Sequence, residues 1–361
     1  MPRFVVPLLT AALLAGSPAV ARGDCPDPVP ESAWSLIMPL APKSLMLAIA
    51  QVGDTFVIAG DRGQVLISED QGRSWQQTRT PTRVPLTGIW FHDRNLGWAV
   101  GHDAVILRTE DGGENWCLVH SAPELERPLL GIWFADAQNG FAVGAYGYFL
   151  RSSDGGLSWR EEALEVAEEL LAGDTGAGDD DYADDELDDD GAWDDDDWLD
   201  DDAAADLHFN RIVRDGSDRL YLMAEAGSVF RSDDQGHTWL ALDPPYEGSF
   251  FGGVAPDRES LLVFGLRGNM FRTWDGGETW REISLPIDTS LFGGARLSDG
   301  GIIVVGTAGV MLVSREGDRF RLVQRPDRKA LVAAMSTGDG AVIVIGEPGV
   351  ERLDGRTLEA E

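Results

Sequence analysis

The strongest constraint on the fold of this chain is a short pattern that recurs along it. Each copy reads Ser/Thr-x-Asp-x-Gly-x-(Ser/Thr/Asn)-Trp, and the five copies end at Trp75, Trp116, Trp159, Trp239 and Trp280. Three of the intervals between these tryptophans are 41, 43 and 41 residues, and the fourth, of 80, contains a long acidic segment. A fixed period of about forty residues is typical of repeat architectures, in which each unit packs on its neighbours.

Each copy of this box follows a block of short β-rich runs. The block LTGIWFHDRNLGWAVGHDAVILRTEDGGENW aligns without a gap with LLGIWFADAQNGFAVGAYGYFLRSSDGGLSW, and the last two copies keep the strand-like runs but lose the tryptophan. Four short strands in about forty residues indicate a propeller blade, with a solenoid of stacked β-turns as the competing architecture. The repeats therefore predict an all-β, seven-bladed propeller with four-stranded antiparallel blades. The repeats begin near Leu45, Leu86, Leu129, Phe209, Phe250, Leu291 and Leu331.

The two ends of the chain suggest how such a ring would close. The last repeat runs out after LDGRTLEAE, with little left for a fourth strand, whereas WSLIMPL, from Trp34 to Leu40, resembles the fourth strands WREISLP and WLALDPP. We therefore expect the N-terminal strand to complete the last blade, which would leave no open sheet edge. The predicted division is a signal peptide (1–21), a lead-in (22–33), blades 1–3 with the closing strand (34–160), an acidic insert (161–206) and blades 4–7 (207–361).

The first residues have the pattern of an export signal. One arginine precedes an apolar run over Phe4–Ala15, and Ala19–Ala21 forms a small-residue cleavage box. This predicts an exported protein of the periplasm or an equivalent lumen without a transmembrane segment in the mature chain; a retained N-terminal anchor is the alternative. Oxidising conditions there would permit a disulfide between Cys25 and Cys117, which geometry must decide.

The negative charge of the chain is concentrated in one segment. The chain has 62 acidic and 29 basic residues, and 23 of the acidic residues lie in residues 161–206, which contain no Lys or Arg. The overall balance argues against nucleic-acid binding through a basic surface. Within the segment, Glu161–Leu171 predicts a short amphipathic helix and Asp174–Asp206 a disordered run. The run is either a solvated linker or a surface that captures a basic partner or binds divalent cations weakly.

The residues of the box have structural chemistry. The Asp side chain can accept backbone N–H bonds within the turn, the Gly permits a positive φ, and the Trp packs between neighbouring sheets. One carboxylate per turn is too few for calcium, so we expect scaffold positions and no metal site. The predicted structural residues are Asp70, Gly72, Trp75, Asp111, Gly113, Trp116, Asp154, Gly156, Trp159, Asp234, Gly236, Trp239, Asp275, Gly277 and Trp280.

The boxes resemble the Asp-box (BNR) repeats of sialidases and related propellers. The longer consensus, GIWFxDxxxGWAVGxxGxILRTxDGGxxW, more closely resembles the photosystem II stability/assembly factor family, with the best matches at Leu86–Trp116 and Leu129–Trp159. The resemblance implies a lumenal or periplasmic seven-bladed propeller, a non-enzymatic chaperone that binds assembly intermediates of membrane proteins. The acidic insert departs from the family pattern and argues against transferring an arginine-patch binding mode. A role in photosynthesis is implied by the resemblance alone.

The sequence contains no recognisable catalytic motif. The Arg-Ile-Pro-type motif of sialidases does not occur near the start of the domain, and HFNRIVR supplies Arg211 and Arg214 with flanks that do not match. A Gly-x-Ser-x-Gly elbow and a phosphate-binding loop are missing, and the five histidines lack metal-ligand spacing. We therefore expect no enzyme activity, catalytic residue, metal or cofactor, and a monomer that serves a membrane protein complex as an assembly or accessory factor. A sialidase-like or other carbohydrate-active propeller is the alternative function, and a calcium-binding module is a third.

Blade topology predicts which face binds a partner. In an up-and-down blade, the turns between strands 2 and 3 share one face with the connections between blades, and the boxes lie on the other. These turns differ from blade to blade, which suits a surface that recognises a protein, although solvated turns would look the same. The candidate binding residues are Arg62, His102, Asp103, Tyr146, Arg267 and Glu347.

Overall fold

The computed structural model describes residues 25, 29–167, 204, 206–355 and 358. The predicted signal peptide (1–21) and most of the acidic insert lie outside the described residues, as does the predicted disordered run apart from residues 204 and 206. The described part of the chain forms seven separate antiparallel sheets, six with four strands and one with three, each in up-and-down order. This confirms the prediction of an all-β, seven-bladed propeller.

The strands follow one another blade by blade along the chain. The first three blades are formed by β1 (Met46–Val52), β2 (Thr55–Gly60), β3 (Val65–Ser68) and β4 (Gln76–Thr78); β5 (Leu86–Phe91), β6 (Gly97–Gly101), β7 (Ile106–Thr109) and β8 (Cys117–His120); and β9 (Leu129–Phe134), β10 (Gly140–Gly144), β11 (Phe149–Ser152) and β12 (Arg160–Glu161). The next two blades are formed by β13 (Phe209–Arg214), β14 (Leu220–Ala224), β15 (Val229–Ser232) and β16 (Leu240–Leu242); and β17 (Phe250–Val254), β18 (Leu261–Gly265), β19 (Met270–Thr273) and β20 (Arg281–Glu282). The last two are formed by β21 (Leu291–Arg296), β22 (Ile302–Gly306), β23 (Val310–Ser314) and β24 (Arg321–Gln324); and β25 (Leu331–Ser336), β26 (Val342–Gly346) and β27 (Gly349–Leu353). Short 3₁₀ turns occur at Glu31–Ala33, Ala41–Lys43, Asp61–Gly63, His102–Ala104, Pro123–Leu125, Leu266–Gly268 and Thr307–Gly309.

The core lies between neighbouring blades. In blades 2 to 7, the second strand of the blade is buried along its whole length. The fourth strands β12 and β20, in contrast, are exposed. Aromatic rings fill the spaces between sheets: Trp98 of the second blade stacks on Phe134 of the third, with ring centroids 3.5 Å apart. Burial of these large apolar surfaces against each other is the main favourable term that holds the ring together.

The N-terminal segment does not complete the last blade, contrary to the sequence prediction. Among the described residues, the seventh sheet ends at β27. Residues 34–40 lie instead along the first blade, where the Gln77 side chain donates to the Leu36 carbonyl at 2.8 Å and Ser35 N donates to the Thr80 carbonyl at 2.9 Å. The polar groups of the segment find partners there, so pairing with β27 is not needed to satisfy them.

An apolar cluster closes the ring where the seventh blade meets the first. Ile343 and Ile345 of β26 pack in one buried cluster with Phe56 and Ile58 of β2. Blade 7 thus packs directly on blade 1, through the same kind of face-to-face contact that joins the other blades. The ring closes by side-chain packing and without an exchanged strand in the described residues.

The described start of the acidic insert is extended, so the predicted amphipathic helix is wrong there. Val166 forms a parallel bridge with Trp239, and Trp239 N donates to the Glu165 carbonyl at 2.8 Å. Leu164 and Val166 pack against the cluster between the third and fourth blades. Their burial on that cluster and the backbone bonds to the fourth blade replace the hydrogen bonds that a helix would have made. The rest of the predicted helix lies outside the described residues.

The two cysteines form a disulfide. Their Cα atoms are 5.2 Å apart, and the bridge joins Cys25 to Cys117 at the start of β8. The cross-link spans 92 residues of sequence and attaches the beginning of the chain to the outer strand of the second blade.

Candidate partner-binding face

The propeller has two chemically different faces. On one, which we call the box face, each box contacts the turn between strands 1 and 2 of its own blade, as where Gly112 N donates to the Asn95 carbonyl at 2.9 Å. On the other, the connector face, the turns between strands 2 and 3 contact the connections between blades, as where His102 N donates to the Pro85 carbonyl at 3.0 Å. This is the division that blade topology predicts.

The boxes are held by hydrogen bonds within each turn. The Asp234 carboxylate accepts from the Ser232 hydroxyl at 2.8 Å, the Thr238 hydroxyl at 2.7 Å and the His237 N–H at 3.1 Å. Burial opposes ionisation of Asp234, but the bonds from Thr238 and Ser232 outweigh it and lower the pKa of the carboxyl group. A Cβ on Gly236, where φ is +84°, would collide with the Phe141 ring. These contacts use the carboxylate oxygens inside the turn.

The boxes also join neighbouring blades. An arginine on the third strand of one blade donates to a backbone carbonyl in the box of the next blade. The donor–acceptor distances are 2.8 Å between blades 2 and 3, 2.6 Å between blades 3 and 4, and 3.0 Å between blades 4 and 5. The donor–acceptor pairs are Arg108 with Gly155, Arg151 with Gly236, and Arg231 with Gly276. The box face is therefore occupied by inter-blade contacts, and its repeated geometry serves the ring.

The boxes of blades 6 and 7, which lack the tryptophan, have another apolar side chain in its place. Phe320 packs against the cluster between the fifth and sixth blades, and Leu358 is 4% exposed in the cluster between the sixth and seventh. The sixth box is one residue shorter, with Gly317 N donating to the Ser314 hydroxyl at 2.8 Å. Smaller side chains thus fill the place of the tryptophan in both blades.

The connector face repeats an unusual backbone conformation. In six of the turns between strands 2 and 3, the residue two positions after the second strand is not glycine and has a φ of 51° to 57°; in blade 2 the next residue, Ala104, is left-handed as well. This left-handed conformation costs a residue with a Cβ about 1 kcal/mol. The seventh turn has Pro348 at that place, and its ring restricts φ to negative values. The six residues are Arg62, Asp103, Tyr146, Ala226, Arg267 and Ala308.

The structure distributes the six candidate binding residues around this face rather than in one cluster. They lie in the turns of blades 1, 2, 3, 5 and 7. The Arg62 side chain is 69% exposed, with its Nε 3.4 Å from Asp61, and Tyr146 is 52% exposed. The Glu347 carboxylate accepts from the Ala330 N–H at 2.8 Å and so stabilises a connection between blades. His102 and Arg267 are also exposed on this face.

One side-chain cluster on the connector face was missed by sequence reasoning. The rings of Tyr146 and His208 meet edge to face with centroids 4.6 Å apart, and His208 Nδ1 lies 3.5 Å from the Glu225 carboxylate. A groove of about 710 Å³ lies beside it, lined by Ala226 and by the Pro244–Gly248 loop among others. Two blades supply the cluster, so no spacing in the sequence could reveal it.

Two kinds of feature were not found in the described ranges. No group of three or more His, Cys, Asp or Glu side chains in that part of the chain is placed to hold a metal ion. None of the helices described there has the length and apolar character needed to cross a membrane.

Comparisons with known proteins support the resemblance to photosystem II assembly factors. No family model matches the chain. The photosystem II assembly protein Ycf48 of Synechococcus sp. (strain JA-3-3Ab) is 34% identical over 85 residues, which are 23% of this chain and 21% of that protein. The chloroplastic photosystem II stability/assembly factor HCF136 of Cyanidioschyzon merolae is 44% identical over 48 residues, 13% of this chain and 11% of that protein. The matched stretches thus span 21% and 11% of these relatives' length.

Solved structures show the same fold over the whole ring. A structure of YCF48 bound to D1 peptide superposes with a TM-score of 0.61 at 15% identity, covering 89% of this chain and 97% of that one. YCF48 from Cyanidioschyzon merolae gives 0.61 at 14% identity, covering 90% and 99%. A streptogramin B lyase structure gives 0.64 at 12% identity, covering 90% and 98%. The chain resembles the assembly factors in fold and in short stretches of sequence, and the fold also occurs in an enzyme.

Proposed function

We propose that this protein is a non-enzymatic propeller that binds a protein partner through its connector face and acts as an assembly or accessory factor for a membrane protein complex. The similarity to a YCF48 structure that contains a D1 peptide supports the proposal. The variety of the turns supports it too, because a face that differs from blade to blade can recognise one partner.

One observation carries the choice of the connector face. Exposed side chains such as Arg62, Tyr146 and Arg267 stand on left-handed residues, although glycine would fit that conformation without strain. Strained residues concentrate at functional sites, and at these three turns the strained residue carries a long exposed side chain, in contrast to Ala226 and Ala308. The box face also has left-handed non-glycine residues, Gln71, Asp218 and Gln235. Two of them are engaged within that face, because Gln71 accepts from the Gly338 N–H and Asp218 pairs with Arg214.

We also propose that the protein is exported to the periplasm or an equivalent lumen. The signal-like pattern over residues 1–21 and the bond between Cys25 and Cys117 support this, because disulfides persist in oxidising compartments. Fractionation of cells and thiol labelling of the recovered protein would test it. We expect the protein in the exported fraction, without residues 1–21 and with no free thiol; a cytoplasmic, full-length and reduced protein would contradict it.

The binding proposal can be tested with matched pairs of charge reversals. Immobilised mature protein is incubated with solubilised native membranes, and the captured proteins are identified and quantified. The double variant Arg62→Glu/Arg267→Glu changes the connector face, and Arg94→Glu/Arg258→Glu makes the same change in exposed turns of the box face.

We expect a defined membrane protein to be captured by the wild type and by the box-face variant, and capture to fall at least tenfold for the connector-face variant. Equal capture by the two variants would refute the assignment of the face. Turnover of a glycoside by the purified protein would refute the non-enzymatic function.

A further inference from the structure

The innermost strands of the propeller have a charge opposite to that of the chain. The seven first strands, β1, β5, β9, β13, β17, β21 and β25, contain no aspartate or glutamate, although the chain has 62 acidic residues against 29 basic ones. The charged residues within these strands are Arg211, Arg214 and Arg296. The wall of the central channel is thus basic in an acidic protein, which favours entry of anions.

Arg211 occupies a position where the other blades have almost no side chain. In every blade, the pairing between the first and second strands has a register shift near the start of the first strand. The first-strand residue that follows this shift is Arg211 in blade 4 and glycine or alanine in the six other blades. A Cβ at Gly88 would lie 3.2 Å from the Leu130 carbonyl of the next blade, and a Cβ at Gly252 would lie 2.6 Å from the Phe292 carbonyl. The equivalent residues are Ala48, Gly88, Gly131, Gly252, Gly293 and Ala333.

The Arg211 guanidinium has no partner among the described residues. No hydrogen bond or ion pair joins it to another group there, whereas Arg214 in the same strand pairs with Asp218 at 3.4 Å. The side chain keeps partial solvent exposure because β13 is the innermost strand, but the ring surrounds it, and this enclosure lowers its pKa. A guanidinium stays charged even so. An enclosed charge without a counter-charge is costly unless something binds to it.

Two further donors without acceptors lie on the neighbouring innermost strands. Trp90 of β5 and Trp133 of β9 are two residues beyond Gly88 and Gly131, and therefore on the same side of their strands. The indole Nε1 atoms of both are buried and lack an acceptor in the described part of the chain. Three consecutive blades thus carry unpaired N–H donors on their first strands. Both rings pack in the clusters between blades, so among these three donors the Arg211 guanidinium is the one that keeps solvent exposure and can meet a ligand from the channel.

We propose that the central channel binds an oxyanion, a carboxylate or phosphate group, at Arg211. The guanidinium can donate two parallel hydrogen bonds to such a group, a geometry that selects for planar or tetrahedral oxyanions. β13 starts at Phe209 on the connector face and Arg211 is its third residue, so the site lies towards the face that we assign to the partner. The site stands on the channel residues alone and does not require the proposed function.

Thermal unfolding in inorganic phosphate tests the site. Phosphate is exchanged against chloride at constant ionic strength, and wild type is compared with Arg211→Gly and with Arg214→Ala. Arg211→Gly introduces a residue that four other blades use at this position, so it should fold, and Arg214→Ala removes a charge of the same strand outside the site. A ligand that binds only the folded state at ten times its Kd raises the ratio of folded to unfolded protein about 11-fold.

We expect that rise for the wild type and for Arg214→Ala, and no rise for Arg211→Gly. Equal responses of wild type and Arg211→Gly would overturn the proposal. Calorimetry with acetate and with a blocked tetra-aspartate peptide then identifies the source of the group. At least tenfold tighter binding of the peptide, abolished in Arg211→Gly, indicates a carboxylate carried by a polypeptide. Equal affinities, also abolished in the variant, indicate a free ion.

Discussion

Two box tryptophans differ by one hydrogen bond, and the difference predicts unequal effects of the same substitution. Trp116 is 2% exposed and Trp239 is 1% exposed, and each lies in the cluster between its blade and the preceding one. The indole N–H of Trp116 donates to the Gly113 carbonyl at 2.9 Å, whereas that of Trp239 is buried without an acceptor among the described residues. Replacement of each by phenylalanine removes a similar volume, so the comparison isolates the N–H.

The expected difference follows from what each variant leaves behind. Both create a small cavity, a cost that is nearly common to the two. Trp116→Phe also leaves the Gly113 carbonyl without its donor, which costs about 1–3 kcal/mol, whereas Trp239→Phe removes a donor that was already unpaired. We expect Trp116→Phe to have a free energy of unfolding lower than that of Trp239→Phe by about 2 kcal/mol. This corresponds to a Tm about 4 °C lower for a domain of this size.

The assay is thermal unfolding followed by near-ultraviolet circular dichroism, with partner capture measured on the same samples. Trp274→Phe, in an exposed position of a box turn (42% exposed), is the control. Phenylalanine keeps an aromatic face for Arg272 and Arg281, which stack on this ring, so Tm should fall less than in either buried variant. Equal Tm values for Trp116→Phe and Trp239→Phe would refute the hydrogen-bond argument. Loss of partner capture at an unchanged Tm would show that the box binds a ligand and is not a strut.

Three further predictions concern the scaffold. The Thr273 hydroxyl, with further hydrogen bonds, holds the folded-state pKa of Asp275 below its ordinary range, so the stabilisation by the Asp275 carboxylate is complete at neutral pH and lost as the pH falls through that lowered value. The urea concentration at half-unfolding should therefore decrease below about pH 4, and less steeply in Asp275→Asn. A midpoint that does not change with pH would contradict this. Reduction of the bond between Cys25 and Cys117 should lower the free energy of unfolding by about 2–4 kcal/mol, measured as a Tm with and without reductant; identical values would show that the tether is not constraining. Leu358→Ala should cost about 2–5 kcal/mol in urea unfolding, and an unchanged midpoint would show that this residue does not fill the last inter-blade space.

The parts of the fold that depend on local chemistry could be predicted from the sequence. A turn with Asp234 and Gly236 at fixed spacing specifies its own hydrogen bonds and its positive φ, and the strands on either side follow from β-rich runs. Because up-and-down strands alternate direction, the face of each turn follows from the strand count. The number of blades, the two faces and the position of Arg62 on one of them therefore needed no tertiary information.

The parts that depend on a choice between distant partners could not. The segment 34–40 has the residues of a fourth strand, but a strand pattern does not say which edge it meets, and the amide of Gln77 offers it an alternative. The contact between Tyr146 and His208 joins two blades across the acidic insert. Arg211 did leave a signal, since alignment of the first strands puts it in a column of glycine and alanine, but its isolation from counter-charges is a property of the ring.

Closure of the ring illustrates why the exchanged strand was not required. Within the ring, Arg108 and Arg151 of the third strands each bind a carbonyl in the box of the next blade. At the junction of the last blade with the first, Arg352 of β27 does the same, donating to the Gln71 carbonyl at 2.9 Å, and it also binds Asp339 at 2.6 Å. The junction therefore has the polar joint and the apolar cluster that hold the other blades together. A repeat protein whose ends carry the same joint as its interior closes by repetition alone, and its N-terminal segment is left available to pack elsewhere.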